Sequence, residues 1–245
     1  MFLIFILINT ESQSPLSVDI ESLKVMVSSH PRLTTILSLN NIYCATAAFD
    51  SAIALLTNYE RNAPSEEKPQ LSFSIAEDYL FAGRILDARE HYLQMVERHS
   101  RSEIANDALE RLYLIEISRT DTIILKKLTQ AVSYYQIAYY TAARESLKNL
   151  IITKLGDYAL YYLAQVYDAQ SEISLALSAL DELNSKFPDH KIHKAALLAA
   201  RLLMKLNNKK EARRILEALV MKLPESVYAV QARKMIEDLE QNSKK

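Results

Sequence analysis

The residues that could do chemistry in this 245-residue chain are few and scattered. His190 and His193, in the segment FPDHKIH, would approach one metal ion together with Asp189 if that segment were helical, since imidazole and carboxylate groups are ordinary zinc ligands. The segment falls at a polar break between two apolar stretches, where such residues are common, so no metal is expected. Cys44 is the sole cysteine, which excludes an intrachain disulfide and a cysteine-based zinc site. A reactive thiol needs a cationic neighbour, and Tyr43 and Ala45 supply none, so a packing role is expected. With only Gly83 and Gly156 in the chain, no glycine-rich phosphate loop can form, and no nucleotide cofactor is expected. No catalytic residue emerges from this survey, and the expectation is a chain that is not an enzyme.

What would have to position any site is a repeat. Ala52, Ala88, Ala143, Ala176 and Ala212 each occupy the same point of a recurring pattern, at intervals of 36, 55, 33 and 36 residues. Periods of roughly 20 to 50 residues signal supersecondary units that bury their faces only against neighbouring copies. Nine residues before the markers stand Tyr43, Tyr79, Tyr134, Tyr167 and Leu203; twelve before stand Asn40, Ala76, Ala131, Ala164 and Ala200. Such offsets fit two antiparallel helices, with a small residue from each at the crossing and a large ring filling the gap one turn away. Four residues after the markers, Leu56, Tyr92, Leu147, Leu180 and Leu216 continue the same face. Pro64, Pro188 and Pro224, twelve after three of the markers, end the second helix of their pairs.

The segments LNNIYCATAAFDSAIALLTNYERNAP and LAQVYDAQSEISLALSALDELNSKFP carry the pattern in full, and it resembles the tetratricopeptide repeat. Repeat three departs from the family pattern with Leu155 in place of the terminal proline, and repeat five with Leu203 and Lys209 at aromatic positions. The resemblance implies an all-α fold, a solenoid of about five antiparallel helix pairs whose first helices line a concave groove that takes a peptide or protein. Carried over residue by residue, the family's groove positions fall on Phe73 and Leu80, on Leu128 and Tyr135, on Tyr158, Tyr161 and Gln165, and on Arg201 and Lys205. The lysine-and-asparagine clamp of some chaperone-binding repeats is incomplete, with Leu37 at its lysine position and Asn41 matching. The resemblance therefore implies an aromatic-lined trough for another protein or peptide, anchored by rigid rings. The alternative is that a tightly wound superhelix buries these rings against itself.

The 55-residue interval leaves room for an extra helix. SEIANDALERLYLIE, starting at Ser102, and SVYAVQARKMIEDLE, starting at Ser226, both open on a serine suited to cap a helix and place alanine three and six residues on. The second reads as a terminal capping helix and the first as an internal copy. The expected organisation is an N-terminal block over residues 17–120, with repeats near 33–66 and 69–100 and a helix over 102–118. A C-terminal block over 121–245 follows, with repeats near 122–155, 157–188 and 191–224 and a cap over 226–241. The seam lies near Ile117 to Thr122, and Asn62 to Gln70 reads as an exposed loop.

Composition bounds the partner. A net charge of -1 gives no global reason to expect nucleic acid, and no transmembrane span is expected. Charge is segregated late in the chain: residues 157–185 hold five acidic side chains and no Lys or Arg, whereas residues 186–222 hold ten basic against three acidic. That asymmetry suits an acidic partner, or else pairing between adjacent repeats. The runner-up is a cytoplasmic regulatory or nucleic-acid-binding adaptor using the basic last repeat. Residues 1–16 begin with the apolar run Phe2 to Ile8, which reads either as a degenerate secretory signal or as an apolar segment packing on the first repeat. YYLAQVYDAQ, KFPDH and KLPESVYAVQARKMI are similar to repeats of bacterial cell-envelope proteins, which implies a periplasmic location if the run is a signal and a cytoplasmic one otherwise.

Overall fold

The computed structural model describes residues 20–102 and 104–241. The apolar run Phe2 to Ile8 lies outside them. Thirteen α-helices form among the described residues, and the chain divides into two compact units, residues 1–113 and 114–245.

In unit 1, α1 (Ile20–Ser29) precedes two antiparallel pairs, α2 (Leu33–Ala45) with α3 (Phe49–Glu60) and α4 (Lys68–Phe81) with α5 (Ile85–Arg98). α6 (Ile104–Ile117) begins in this unit, and the boundary falls within it, between Tyr113 and Leu114. The sequence pattern gives no sign of α1, which lacks the repeat's small-residue and tyrosine positions; its Val27 packs on a core of Ile36, Leu56, Ala63, Leu71 and Ile75. The segment predicted as a loop over Asn62 to Gln70 is shorter than expected. Residues 68–70 are helical because Pro69 falls in the first turn of α4, where a missing N–H breaks no hydrogen bond.

Unit 2 contains α7 (Thr122–Gln136) with α8 (Tyr140–Leu150), α9 (Gly156–Ala169) with α10 (Ile173–Lys186), α11 (Lys194–Lys205) with α12 (Lys209–Lys222), and α13 (Val227–Gln241). Asp121 caps α7 by accepting from the Ile124 amide, and Ser226 accepts from the Ala229 amide at the start of α13. In repeat three, α8 ends without a proline. Leu155 is buried instead, and Gly156 lies so close to the Ile151 carbonyl that a Cβ there would stand 2.2 Å from its oxygen.

All five marker alanines are 0 % exposed, as are Ala76, Ala131, Ala164 and Ala200 on the partner helices. The same turn joins each pair. Five residues before the marker, Ala47, Gly83, Ala138, Ser171 and Asn207 adopt positive φ between 56° and 72°. The next amide in each turn returns to the carbonyl of the residue nine before the marker, as in Glu172 N to Tyr167 O at 2.8 Å and Asn208 N to Leu203 O at 2.8 Å. This is the Schellman closure, which satisfies the last carbonyls of the first helix and reverses the chain.

Candidate functional site

The first helices of unit 2, α7, α9 and α11, bring a set of polar and aromatic side chains together. Tyr135 near the end of α7 is half-buried, and its ring lies 6.4 Å from that of Tyr140 across the turn. Burial pushes its phenol up to about 12, with Tyr140, Asp168 and Tyr162 adding to the effect and Arg201 opposing it, which places all four near Tyr135. Gln165 and Asp168, one turn apart on α9, are half-buried. Arg201 and Lys205, one turn apart on α11, are exposed. Lys205 Nζ pairs with Asp168 Oδ1 at 2.5 Å, tying α11 to α9. Among the described residues Arg201 makes no ion pair, so a guanidinium with all its donors available stands beside Tyr135.

Four of the nine predicted contact residues are core residues instead. Leu80 is 1 % exposed, Leu128 0 %, Tyr158 1 % and Tyr161 5 %. The reason is clearest in α9, which is buried almost all round: Tyr158, Leu160, Tyr161, Leu163 and Tyr167 are all in the interior. A helix packed between neighbouring repeats on both sides has no open stripe for its large rings. Tyr161 is further covered by Lys194, whose ammonium sits 5.5 Å from the ring centre. Phe73 is half-buried in unit 1, 5.8 Å from the ring of buried Tyr92. Tyr135, Gln165, Arg201 and Lys205 keep exposed surface on unit 2.

Unit 1 holds two buried polar clusters that the sequence pattern does not reveal. Glu77 on α4 accepts from Arg111 Nε at 2.7 Å and Nη2 at 3.2 Å, and from the Tyr92 hydroxyl. The adjacent Asp78 accepts from Asn40 Nδ2 at 3.1 Å and from the Cys44 thiol at 3.1 Å. Burial and the neighbouring carboxylate push the Cys44 thiol upward, the opposite of what a nucleophile requires. The one sequence signal was Asn40, a polar residue where the other four repeats place alanine.

Within helices Arg213 pairs with Glu217, Arg214 with Glu211 and Lys186 with Glu182; Arg213 also reaches Glu240 of α13, and the Asp168–Lys205 pair joins repeats four and five. His190 engages Asn184 through Nε2 and the Ile192 amide through Nδ1, and the His193 ring lies 5.8 Å from that of Tyr228.

Residues 158–190 and 194–226, the pairs α9–α10 and α11–α12, match the family model of the tetratricopeptide repeat. These two helix pairs are thus similar to tetratricopeptide repeats, and the described fold is all-α. No curated protein matches it. Similar solved structures include the TPR2AB domain–pHSP90 complex of yeast Sti1, with 16 % identity over 92 % of this chain and 91 % of that one and a TM-score of 0.40. The putative kinesin light chain of Podosopora anserina, with TPR-like repeats, shows 18 % identity over 81 % and 100 %, with a TM-score of 0.37. BtubC of P. vanneervenii shows 13 % identity over 82 % and 85 %, with a TM-score of 0.35. The likeness to the family rests on the match over residues 158–226 and on the helix pairs there, and none of these likenesses links the chain to a cell envelope. Among the described residues no helix is long and apolar enough to cross a membrane.

Proposed function

We propose that the chain is a non-enzymatic scaffold that docks an acidic, extended stretch of a partner protein on the first-helix face of unit 2. Tyr135 is the aromatic anchor and Arg201 the cation that meets a carboxylate. The observation that carries this reading is the contrast between neighbours on α11: Lys205 is committed to Asp168, whereas Arg201 is exposed, makes no ion pair among the described residues and stands beside Tyr135. Arginine forks carboxylates in bidentate fashion, and a rigid ring next to it adds apolar contact at little entropic cost.

Binding of the purified full chain to pools of acidic, neutral and basic peptides, read by fluorescence anisotropy, tests it. The acidic pool should bind, and Arg201→Glu should weaken it about thirtyfold, corresponding to about 2 kcal/mol. Equal binding of all three pools, or binding weakened only by reversing Lys210 and Lys222 on α12, would overturn the reading. A single-stranded oligonucleotide belongs in the same series, because the runner-up is nucleic-acid binding by the last repeat. The ion pairs that already occupy Arg213 and Arg214 speak against that alternative.

The proposed location is the bacterial cell envelope, supported by the apolar run Phe2 to Ile8. Mass spectrometry of the mature amino terminus tests it: loss of about the first 14 residues is expected for export, and an intact terminus would favour the cytoplasm.

A further inference from the structure

Asp78 lies on α4 at 2 % exposure, with no cation among the described residues bonded to it. Its Oδ1 accepts from Asn40 Nδ2 and from Cys44 Sγ. Among the described residues its Oδ2 has no hydrogen-bond partner, and neither has Asn40 Oδ1. The two orphan oxygens thus belong to the same pair of side chains, which already share one hydrogen bond. A carboxylic acid and a carboxamide can form a ring of two hydrogen bonds, N–H to carboxyl oxygen and O–H to amide oxygen.

We propose that Asp78 carries a proton in the folded chain, and that its O–H closes a reciprocal pair with Asn40, making the α2–α4 packing of unit 1 a latch that rising pH opens. The surroundings support this. From α2, Cys44 contributes a neutral thiol; on α4 itself, the adjacent Glu77 carries a charge that Arg111 of α6 matches. From α3, Asp50 pairs with Arg84 and Glu60 accepts from Ser72. From α5, Tyr92 is bonded to Glu77 and His91 stacks on Tyr79. Burial, joined by Glu77, pushes the Asp78 carboxyl up to about 7 against the lowering effect of the Cys44 and Asn40 hydrogen bonds. An unfolded aspartate ionises near 3.9, so between roughly pH 4 and 7 the folded chain holds one proton more than the unfolded one. Stability from this pair is therefore complete below about pH 4 and lost as pH rises through about 7.

Two measurements on the full chain decide the matter. In the wild type, the carbon-13 resonance of the Asp78 carboxyl should titrate with a midpoint close to neutral; a carboxyl ionised throughout the range from about pH 5 to 8 would overturn the proposal. The melting temperature should fall between about pH 4 and 7 and level off above that, and Asp78→Asn, whose amide N–H can replace the acid O–H, should remove that fall. If Asp78→Asn keeps the wild-type pH slope, the latch is refuted, and the carbon-13 titration decides by itself if that variant fails to fold.

Discussion

Glu77 and Arg111, 34 residues apart on α4 and α6, form a two-bonded ion pair with side chains only 8 % and 10 % exposed. Tyr92 from α5 donates to the same carboxylate, so three helices of unit 1 meet at one buried charge. Breaking one side of such a pair leaves the other charge without compensation in the interior, which typically costs about 3 to 5 kcal/mol. Glu77→Ala should therefore lower stability by that order in chemical denaturation. The joint change Glu77→Leu with Arg111→Met should recover most of the loss, because it removes both charges at similar volume.

The five turns offer a graded test of backbone strain. Ala47, Ala138 and Ser171 hold left-handed φ values that cost an L-residue roughly 1 to 2 kcal/mol, against roughly 0.5 to 1 kcal/mol of extra chain entropy lost by glycine. Ala138→Gly should stabilise the chain by about 0.5 kcal/mol, and Gly83→Ala, at φ 72°, should destabilise it by about 1 kcal/mol. Thermal melts showing the reverse order would remove the Schellman reading of these turns.

Much of the fold was legible because it is written in small residues at fixed offsets. The marker alanines and their partners are at the helix crossings, where the space between axes admits nothing larger. The positive-φ position was not legible, since one turn of five uses glycine there. The site was only partly legible. Family positions identify which helix face a residue occupies, but α9 packs on several neighbours at once, so Tyr158 and Tyr161 fill the core while Tyr135, near the end of α7, stays half-exposed. The Asn40–Asp78 and Glu77–Arg111 pairs could not be read at all from spacing, because each joins helices more than 30 residues apart.

Ala164 tests the crossing directly. It is wholly buried on α9, and Ala164→Leu should cost about 1 to 3 kcal/mol through overpacking, whereas exposed Lys210→Ala should stay within about 0.5 kcal/mol. Gly156→Ala should also destabilise, since its Cβ would collide with backbone rather than with a flexible side chain. Equal melting temperatures for Ala164→Leu and Lys210→Ala would contradict the helix-pair packing.

The seam between the two blocks is a proposal that a fragment can test. Residues 121–245 contain three helix pairs and α13, whose neighbours in sequence and space lie within unit 2. That fragment should give a helical circular dichroism spectrum with a cooperative melt. A fragment that is unfolded while the full chain is helical would mean that the solenoid is continuous through α6.

The claim that a partner docks on the first-helix face of unit 2 is tested most directly by site-specific photo-crosslinking in cells. A benzophenone side chain at half-buried Gln165, one turn before Asp168 on α9, is compared with one at exposed Ala218 on α12. A discrete crosslinked partner is expected from position 165, lost on Arg201→Glu while the helical spectrum is unchanged. A crosslink obtained from position 218 and not from 165, or one from 165 that survives the charge reversal, would contradict it.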